Sequence, residues 1–464
     1  MAVRRIAIEA VSRSGPQLAM AFSADGLAFH TTTWYEGVDL GDLERRFGAR
    51  YLHKVYFHIA AFELLKLVSL RPAVADLGPF RALHTDAFEL LWRRVLDGVW
   101  GQWRYENDAP DYRGPALAST PVPPHHVPEP AATVAGDVDV LAFVGGGKDS
   151  LVAAKLLERG GVRYASLAYA HDSYGAAAPQ HALIDALVDR CAPARRHRLW
   201  IRDDFVGSPV ARLTGHARTV TAAETPTSIF AAVPLALAHG YRWLALAHEA
   251  SANEPNLVWD ATGEPINHQW GKSYDAQRLV DAYLASELVA DLRYVSPLQP
   301  VHDPVVFYLL NRDRDAVAAT HSCNITKPWC WRCAKCAYVW LGYMAYLPRA
   351  AVEPLLAVPI LSSPATRPAF RQLMGLAERT PFECVGTAGE THLALALARA
   401  RGWRGDAIDL FEREIAPIDV AAACDRYLSV AGDRIAPGPI RDTVLPQLQD
   451  AARDARAHIE EMLS

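Results

Sequence analysis

Three groups of residues have the types and spacing that could do chemistry. The first is the run "FVGGGKDSLVAAKLL" (143–157), where three glycines, a lysine, an aspartate and a serine separate two apolar stretches. Glycines let a backbone approach an anion closely, and a helix starting behind them offers unpaired N–H groups and a partial positive charge. Lys148 adds a full charge, so this loop is shaped to hold phosphate. The second group is C-x6-C-x2-C-x2-C, made by Cys323, Cys330, Cys333 and Cys336. Four thiolates complete a tetrahedral zinc and leave no open position, which is the pattern of a structural site. An iron–sulfur cluster would use the same ligands, so the metal stays open. The third is "AHEASANEPNLVWDATGEPINHQWGKS" (247–273), dense in hydrogen-bonding side chains. Within it Glu249, Glu254, His268 and Lys272 are the groups able to move a proton or hold a carboxylate. His268 reads equally well as a hydrogen-bonded structural histidine.

Two familiar phosphate motifs fail on the glycine loop. A Walker A loop needs a glycine where Ala142 stands and a hydroxyl residue after the lysine, where Asp149 stands. A dinucleotide fingerprint needs a third glycine at Ser150, and it would set Asp149 against a pyrophosphate.

The elements that must position these groups follow from periodicity. From Val138 onward, short apolar runs alternate with amphipathic stretches: "VDVLAFV", "DSLVAAKLLERGG", "VRYASLAYA", "APQHALIDALVDRC", "HRLWI", "TPTSIFAAVPLALAHG" and "YRWLALA". Such a succession predicts a parallel, doubly wound sheet with ligands at the carboxyl ends of its strands. The glycine loop then joins the first strand to the first helix, and the polar segment follows a later strand at the same edge. Residues 1–120 read as a separate α+β domain, with a hairpin at Asp25-Gly26 and helices near 54–70 and 86–100. "PVPPHHVPEPAATVAG" supplies a proline-stiffened linker over 121–136. The catalytic domain is expected over 137–345 and a mostly helical domain over 346–464.

With those residues in view, the loop resembles the "S/G-G-G-x-D-S" loop of the ATP pyrophosphatase (PP-loop) superfamily, which grips the pyrophosphate of ATP while the α-phosphate is attacked. Gly145, Gly146, Gly147, Lys148, Asp149 and Ser150 match it position for position. The cysteine spacing is similar to the zinc site of 7-cyano-7-deazaguanine synthase. "SANEPNLV", "INHQWGKS", the cysteine cluster and "PFECVGTAGE" (381–390) together resemble the MurL epimerase family. That resemblance implies ATP-dependent epimerisation of a terminal L-glutamate to D-glutamate on a UDP-muramoyl-dipeptide, through an acyl-adenylate, with release of AMP and pyrophosphate. It implies ATP and magnesium as cofactors and structural zinc on the four cysteines. By the resemblance, Gly145, Gly146, Gly147 and Ser150 bind the pyrophosphate. Lys148 stabilises developing charge, and Asp149 orients the loop or a magnesium-bound water. Cys384 reads either as an acid/base or as a buried structural cysteine. The rival readings are an amide- or nitrile-forming ligase like the deazaguanine synthase, a related epimerase of secondary-metabolite peptides, an RNA-modifying enzyme, and a non-catalytic nucleotide sensor.

Composition narrows these. Charged residues make up 21% and hydrophobic residues 51% of 464, ordinary for a globular protein, and the net charge is −5. That balance gives no support to nucleic acid or an anionic membrane as partner. Glu9 interrupts the apolar run a signal peptide would need, and no stretch reaches the roughly 20 residues that span a bilayer. With seven cysteines, four of them crowded, metal is favoured over disulfides and a cytoplasmic location is expected.

Overall fold

The strand–helix alternation read from Val138 builds one half of a longer sheet. The computed structural model describes residues 3–172, 176–215 and 224–464. Its strands are β1 (Arg5–Ser14), β2 (Gln17–Ala24), β3 (Leu27–Tyr35), β4 (Val74–Asp76), β5 (Ala116–Leu117), β6 (Val140–Phe143), β7 (Tyr164–His171), β8 (Arg195–Asp203), β9 (Trp243–Ala245), β10 (Leu257–Trp259), β11 (Glu264–Ile266) and β12 (Arg293–Val295). Ten of them form one sheet in the order β12-β9-β6-β7-β8-β3-β2-β1-β4-β5, and β10 pairs with β11 apart from it.

The half running from β12 to β8 is parallel throughout. Its first strand in the chain, β6, is central, with β7 on one side and β9 on the other. The chain reverses its direction of travel across the sheet at that point, and a crevice opens there at the carboxyl ends. The glycine loop leaves β6 directly into this crevice. The polar segment leaves β9 beside it.

The other half begins as an antiparallel meander. Asp25 and Gly26 between β2 and β3 have φ of 48° and 82°, as a two-residue turn matching the twist of the strands requires. Strand β3 pairs antiparallel with β8 from Thr31↔Asp203 to Tyr35↔Leu199, so the N-terminal unit extends the same sheet. Residues 121–136 are tied to the body: Ala131 bridges to Val289, and Thr133 N–H donates to Asp291 Oδ1 at 2.8 Å.

Both faces of the parallel half are covered, which is why its strands read as continuous apolar runs. Val140 and Ala142 pack toward the helices Lys148–Arg159, Ala334–Tyr346, Ala388–Ala400 and Pro439–Leu463. Leu141, one residue over, points the opposite way, toward the helices Ala49–Leu64 and Glu224–His239. Truncating a residue such as Leu141 to alanine costs about 2–5 kcal/mol by the usual cavity rule. The last third of the chain is helical. Its helix Ala388–Ala400 starts on a capping box in which Thr387 Oγ1 accepts from Glu390 N–H and Glu390 Oε2 accepts from Thr387 N–H. Among the described residues, no helix is long and apolar enough to cross a membrane.

Candidate active site

The glycine loop is held open by its neighbours. Gly145 N–H donates to Ser150 Oγ at 3.1 Å, and Gly146 C=O accepts from His321 N–H at 2.8 Å. Gly146 has a φ of 88°, and a Cβ there would sit 2.0 Å from His321 Nε2, so only glycine fits. A Cβ on Gly145 would meet nothing within 4 Å, because that side faces a cavity of about 270 Å³. A larger hollow of about 750 Å³ lies beside Trp34 and Trp200, but it gathers no comparable set of reactive groups.

Gly145, Gly147, Asp149, Ser150 and Lys272 line the cavity, joined by groups that sequence reasoning missed: His321, Lys327 and Lys335. Three ammonium groups lining one cavity suit phosphates and a carboxylate. Both ring nitrogens of His321 are buried without a partner among the described residues, and burial beside Lys327 pulls the ring down to about 4. A neutral imidazole with an unmet nitrogen next to a glycine loop is what a bound polar ligand would satisfy.

Lys148 is placed differently from a phosphate ligand. Its Nζ lies 2.5 Å from Asp149 Oδ1 and 2.5 Å from Asp303 Oδ1, and 4.7 Å from the centre of the Phe307 ring. Burial would lower its pKa, but Asp149, Asp303 and Glu249 raise it well above the ordinary lysine value. Asp303, which starts the helix Asp303–Leu309, also accepts from Tyr338 Oη–H at 2.9 Å. Oxygens of Asp149, Glu249 and Asp303 lie within 4.8 Å of one another, close enough to share a cation. That place is taken by the Lys148 ammonium, and the trio as it stands does not fit a second cation. Burial first, then Asp303 and Asp149, push Glu249 up to about 8.

The four cysteine sulfurs also lie within 4.8 Å of one another, with Cys323 and Cys333 3.9 Å apart and Cys330 and Cys336 3.8 Å apart. A tetrahedron with Zn–S bonds of about 2.3 Å has edges of about 3.8 Å, so the set fits zinc. Ile325 and Thr326 N–H groups donate to Cys323 Sγ at 3.3 Å. Trp331, at a φ of 61°, stacks on Trp340 with ring centres 4.7 Å apart, fixing the knuckle to the helix Ala334–Tyr346. The knuckle thereby sets the direction of Lys327 and Lys335, which interleave its ligands.

Much of the polar segment is wiring. Asn256 Nδ2 donates to Pro381 C=O at 2.8 Å, and Gln269 Nε2 to Val385 C=O at 3.0 Å. These bonds clamp the backbone on either side of Cys384, while Lys335 Nζ donates to the Cys384 carbonyl itself. Glu383 accepts from Lys335 N–H at 3.0 Å, in the first turn of the helix Ala334–Tyr346. Glu254 faces Arg426 at 3.6 Å on the surface. Lys272 Nζ donates to Cys384 Sγ at 2.8 Å. His268 Nδ1 lies 2.6 Å from Gln102 Oε1, with Cys384 in reach of its ring. The site therefore gathers the loop, Glu249, His268 and Lys272, and leaves Glu254 outside.

The family described as the MurL N-terminal domain matches residues 213–297, and that described as the MurL C-terminal domain matches residues 316–422. Over these two segments the chain is similar to the MurL family. Three curated relatives carry the name UDP-N-acetyl-alpha-D-muramoyl-L-alanyl-L-glutamate epimerase. That of Micromonospora is 29% identical over 65% of this chain and 66% of its own length. The Salinispora tropica protein is 31% identical over 57% and 56%. The protein of Xanthomonas oryzae is 28% identical over 60% and 61%. The chain thus spans between 56% and 66% of the length of these relatives. His268, Lys272, Lys335 and Cys384 fall inside the two matched segments, and the glycine loop precedes both.

Proposed function

We propose that the protein inverts the terminal L-glutamate of UDP-N-acetylmuramoyl-L-alanyl-L-glutamate to D-glutamate, at the expense of ATP, in peptidoglycan precursor synthesis. The observation that carries this reading is one cavity that combines a glycine loop, three lysines and a lysine-paired thiol in a chain whose relatives are named for that epimerisation.

The chemistry follows from the residues. The α-proton beside a free carboxylate is held tightly, because its loss leaves a dianion. Attack of that carboxylate on the α-phosphate of ATP gives an acyl-adenylate and pyrophosphate, and the acyl group can then accept the carbanion's charge. In this reading the loop's backbone N–H groups and the Ser150 hydroxyl would bind the departing pyrophosphate, and Lys327 and Lys335 would offset its charge. A base removes the α-proton, a proton returns on the other face, and water cleaves the adenylate to AMP. Magnesium enters with ATP as its counter-ion, and zinc on the four cysteines has a structural role only.

The test is to incubate the protein with ATP and the L-glutamate-terminated peptide, then hydrolyse the product and resolve its glutamate. D-glutamate formed in step with AMP and pyrophosphate is expected. AMP without D-glutamate would make the protein an adenylating ligase.

A further inference from the structure

Seven cysteines are present, and three lie outside the metal cluster. They differ physically. Cys191 is pushed up to about 11, mainly by burial, and burial also raises Cys424, as expected for inert thiols. Cys384 is unlike both in its surroundings. Its sulfur receives the Lys272 ammonium at 2.8 Å, it lines the same cavity as Gly145 and Ser150, and its backbone is clamped on both sides by Asn256 and Gln269. A third side chain completes the set. His268 has Nδ1 committed to Gln102 Oε1 at 2.6 Å, which leaves Nε2 as the ring nitrogen available to the thiol. A lysine-paired thiol with an imidazole among its electrostatic neighbours, and an amide holding that imidazole, has the components that activate a cysteine in unrelated hydrolases.

We propose that Cys384 is a catalytic residue that takes the α-proton of the activated glutamate on one face, with Lys272, His268 and Gln102 as its positioning residues. In the step, the Cα–H bond breaks and an S–H bond forms. The electron pair left on carbon moves into the activated carbonyl to give an enolate. A proton from solvent, delivered on the opposite face, restores the carbon with inverted configuration, and the thiol returns its proton to solvent. Burial raises the Cys384 thiol, but Lys272, Lys335 and His268 outweigh it and hold the group well below the ordinary thiol value. That direction favours the thiolate, the state a base needs.

The inference rests on the epimerase reading, and one experiment separates the two. The full-length protein is incubated in deuterium oxide with ATP, magnesium and the UDP-linked peptide. Exchange of labelled pyrophosphate into ATP reports adenylation, and deuterium on the glutamate α-carbon reports proton transfer. In Cys384→Ala, exchange should persist while deuteration falls by about 10²–10⁴, the usual worth of a general base. Gln102→Leu should keep exchange and shift the pH profile of deuteration, which a merely structural amide would not do. On the wild-type protein, reversible methylthiolation of Cys384, mapped by peptide mass, should stop deuteration until dithiothreitol restores it. This arm decides the matter even if the alanine variant folds poorly. Deuteration at the wild-type rate in Cys384→Ala overturns the inference alone. A thioester on Cys384 in acid-quenched protein also overturns it, because the sulfur would then be a nucleophile. Wild-type protein that neither exchanges pyrophosphate nor deuterates this peptide overturns the epimerase reading, and this inference with it.

Discussion

Replacing Glu249 by glutamine should make the protein more stable in alkaline solution, although a charge near two cations, Lys148 and Lys272, is lost. Glu249 is 7% exposed, and burial, reinforced by Asp303 and Asp149, holds its carboxyl at about 8 against an ordinary 4.5. A raised folded-state value means that between those two pH values the native protein keeps a proton the unfolded chain has lost. Stability therefore falls as pH rises through that window and is fully present only below it. The difference, 8 − 4.5 = 3.5 units, corresponds to roughly 5 kcal/mol at about 1.4 kcal/mol per unit. Glutamine has nearly the same shape and no proton to lose, so Glu249→Gln should abolish this part of the slope. Urea unfolding followed by tryptophan fluorescence, without added divalent cations, is the assay. Near pH 5 the two proteins should unfold at similar urea concentrations, whereas near pH 8.5 the variant should gain roughly 3–5 kcal/mol. Parallel pH dependences, or a variant weaker at the alkaline end, would refute the reasoning.

The other predictions concern the cations and the metal. Lys148→Met strands the buried carboxylate of Asp303 and the half-buried one of Asp149, and should cost about 3–5 kcal/mol in the same urea assay. A loss of rate with unchanged stability would show that Lys148 leaves its buried ion pairs. Metal analysis of the purified protein should find one zinc per chain, and Cys330→Ser should lower solubility or thermal stability because a closed thiolate site contributes directly to folding. Partial chelation should reduce pyrophosphate exchange before it unfolds the protein, since Lys327 and Lys335 are aimed by the knuckle. Metal-free protein of unchanged stability and exchange would reduce the cluster to packed thiols.

What could be read from sequence was local. The glycine loop, the cysteine spacing, the Asp25-Gly26 turn and the strand–helix alternation each lie within a few residues, so their signals survive without the fold. The partners that complete the site lie far apart. Asp303 is 155 residues from Lys148, and Gln102 is 166 residues from His268. No local pattern marks either one. Strand β12 has three residues and escapes any periodicity count. The polar segment held a readable turn at Gly263, with a φ of 71° between β10 and β11, but its density of amides concealed it. That density suggested ligand contacts, yet Asn256 and Gln269 spend theirs on backbone carbonyls around Cys384. Lys327 and Lys335 could have been found, because a metal knuckle fixes the direction of any residue between its ligands.

The continuity of the sheet explains why so much chain serves one cavity. Gln102 comes from the N-terminal unit, His268 and Lys272 from the segment after β9, Lys335 from the cysteine knuckle, and Cys384 from the helical C-terminal third. Each alone is an ordinary polar residue with an ordinary partner. Their convergence depends on β3 pairing with β8, which joins the two halves of the sheet, and on the knuckle meeting the Glu383–Cys384 backbone. The surroundings that lower the Cys384 thiol, two ammonium groups and an imidazole, do not persist in a partly folded chain, where water screens each charge. The reactive form of Cys384 is thus a property of the assembled chain. It would arise at the wall of the glycine-loop cavity, which Cys384 lines together with Gly145 and Ser150.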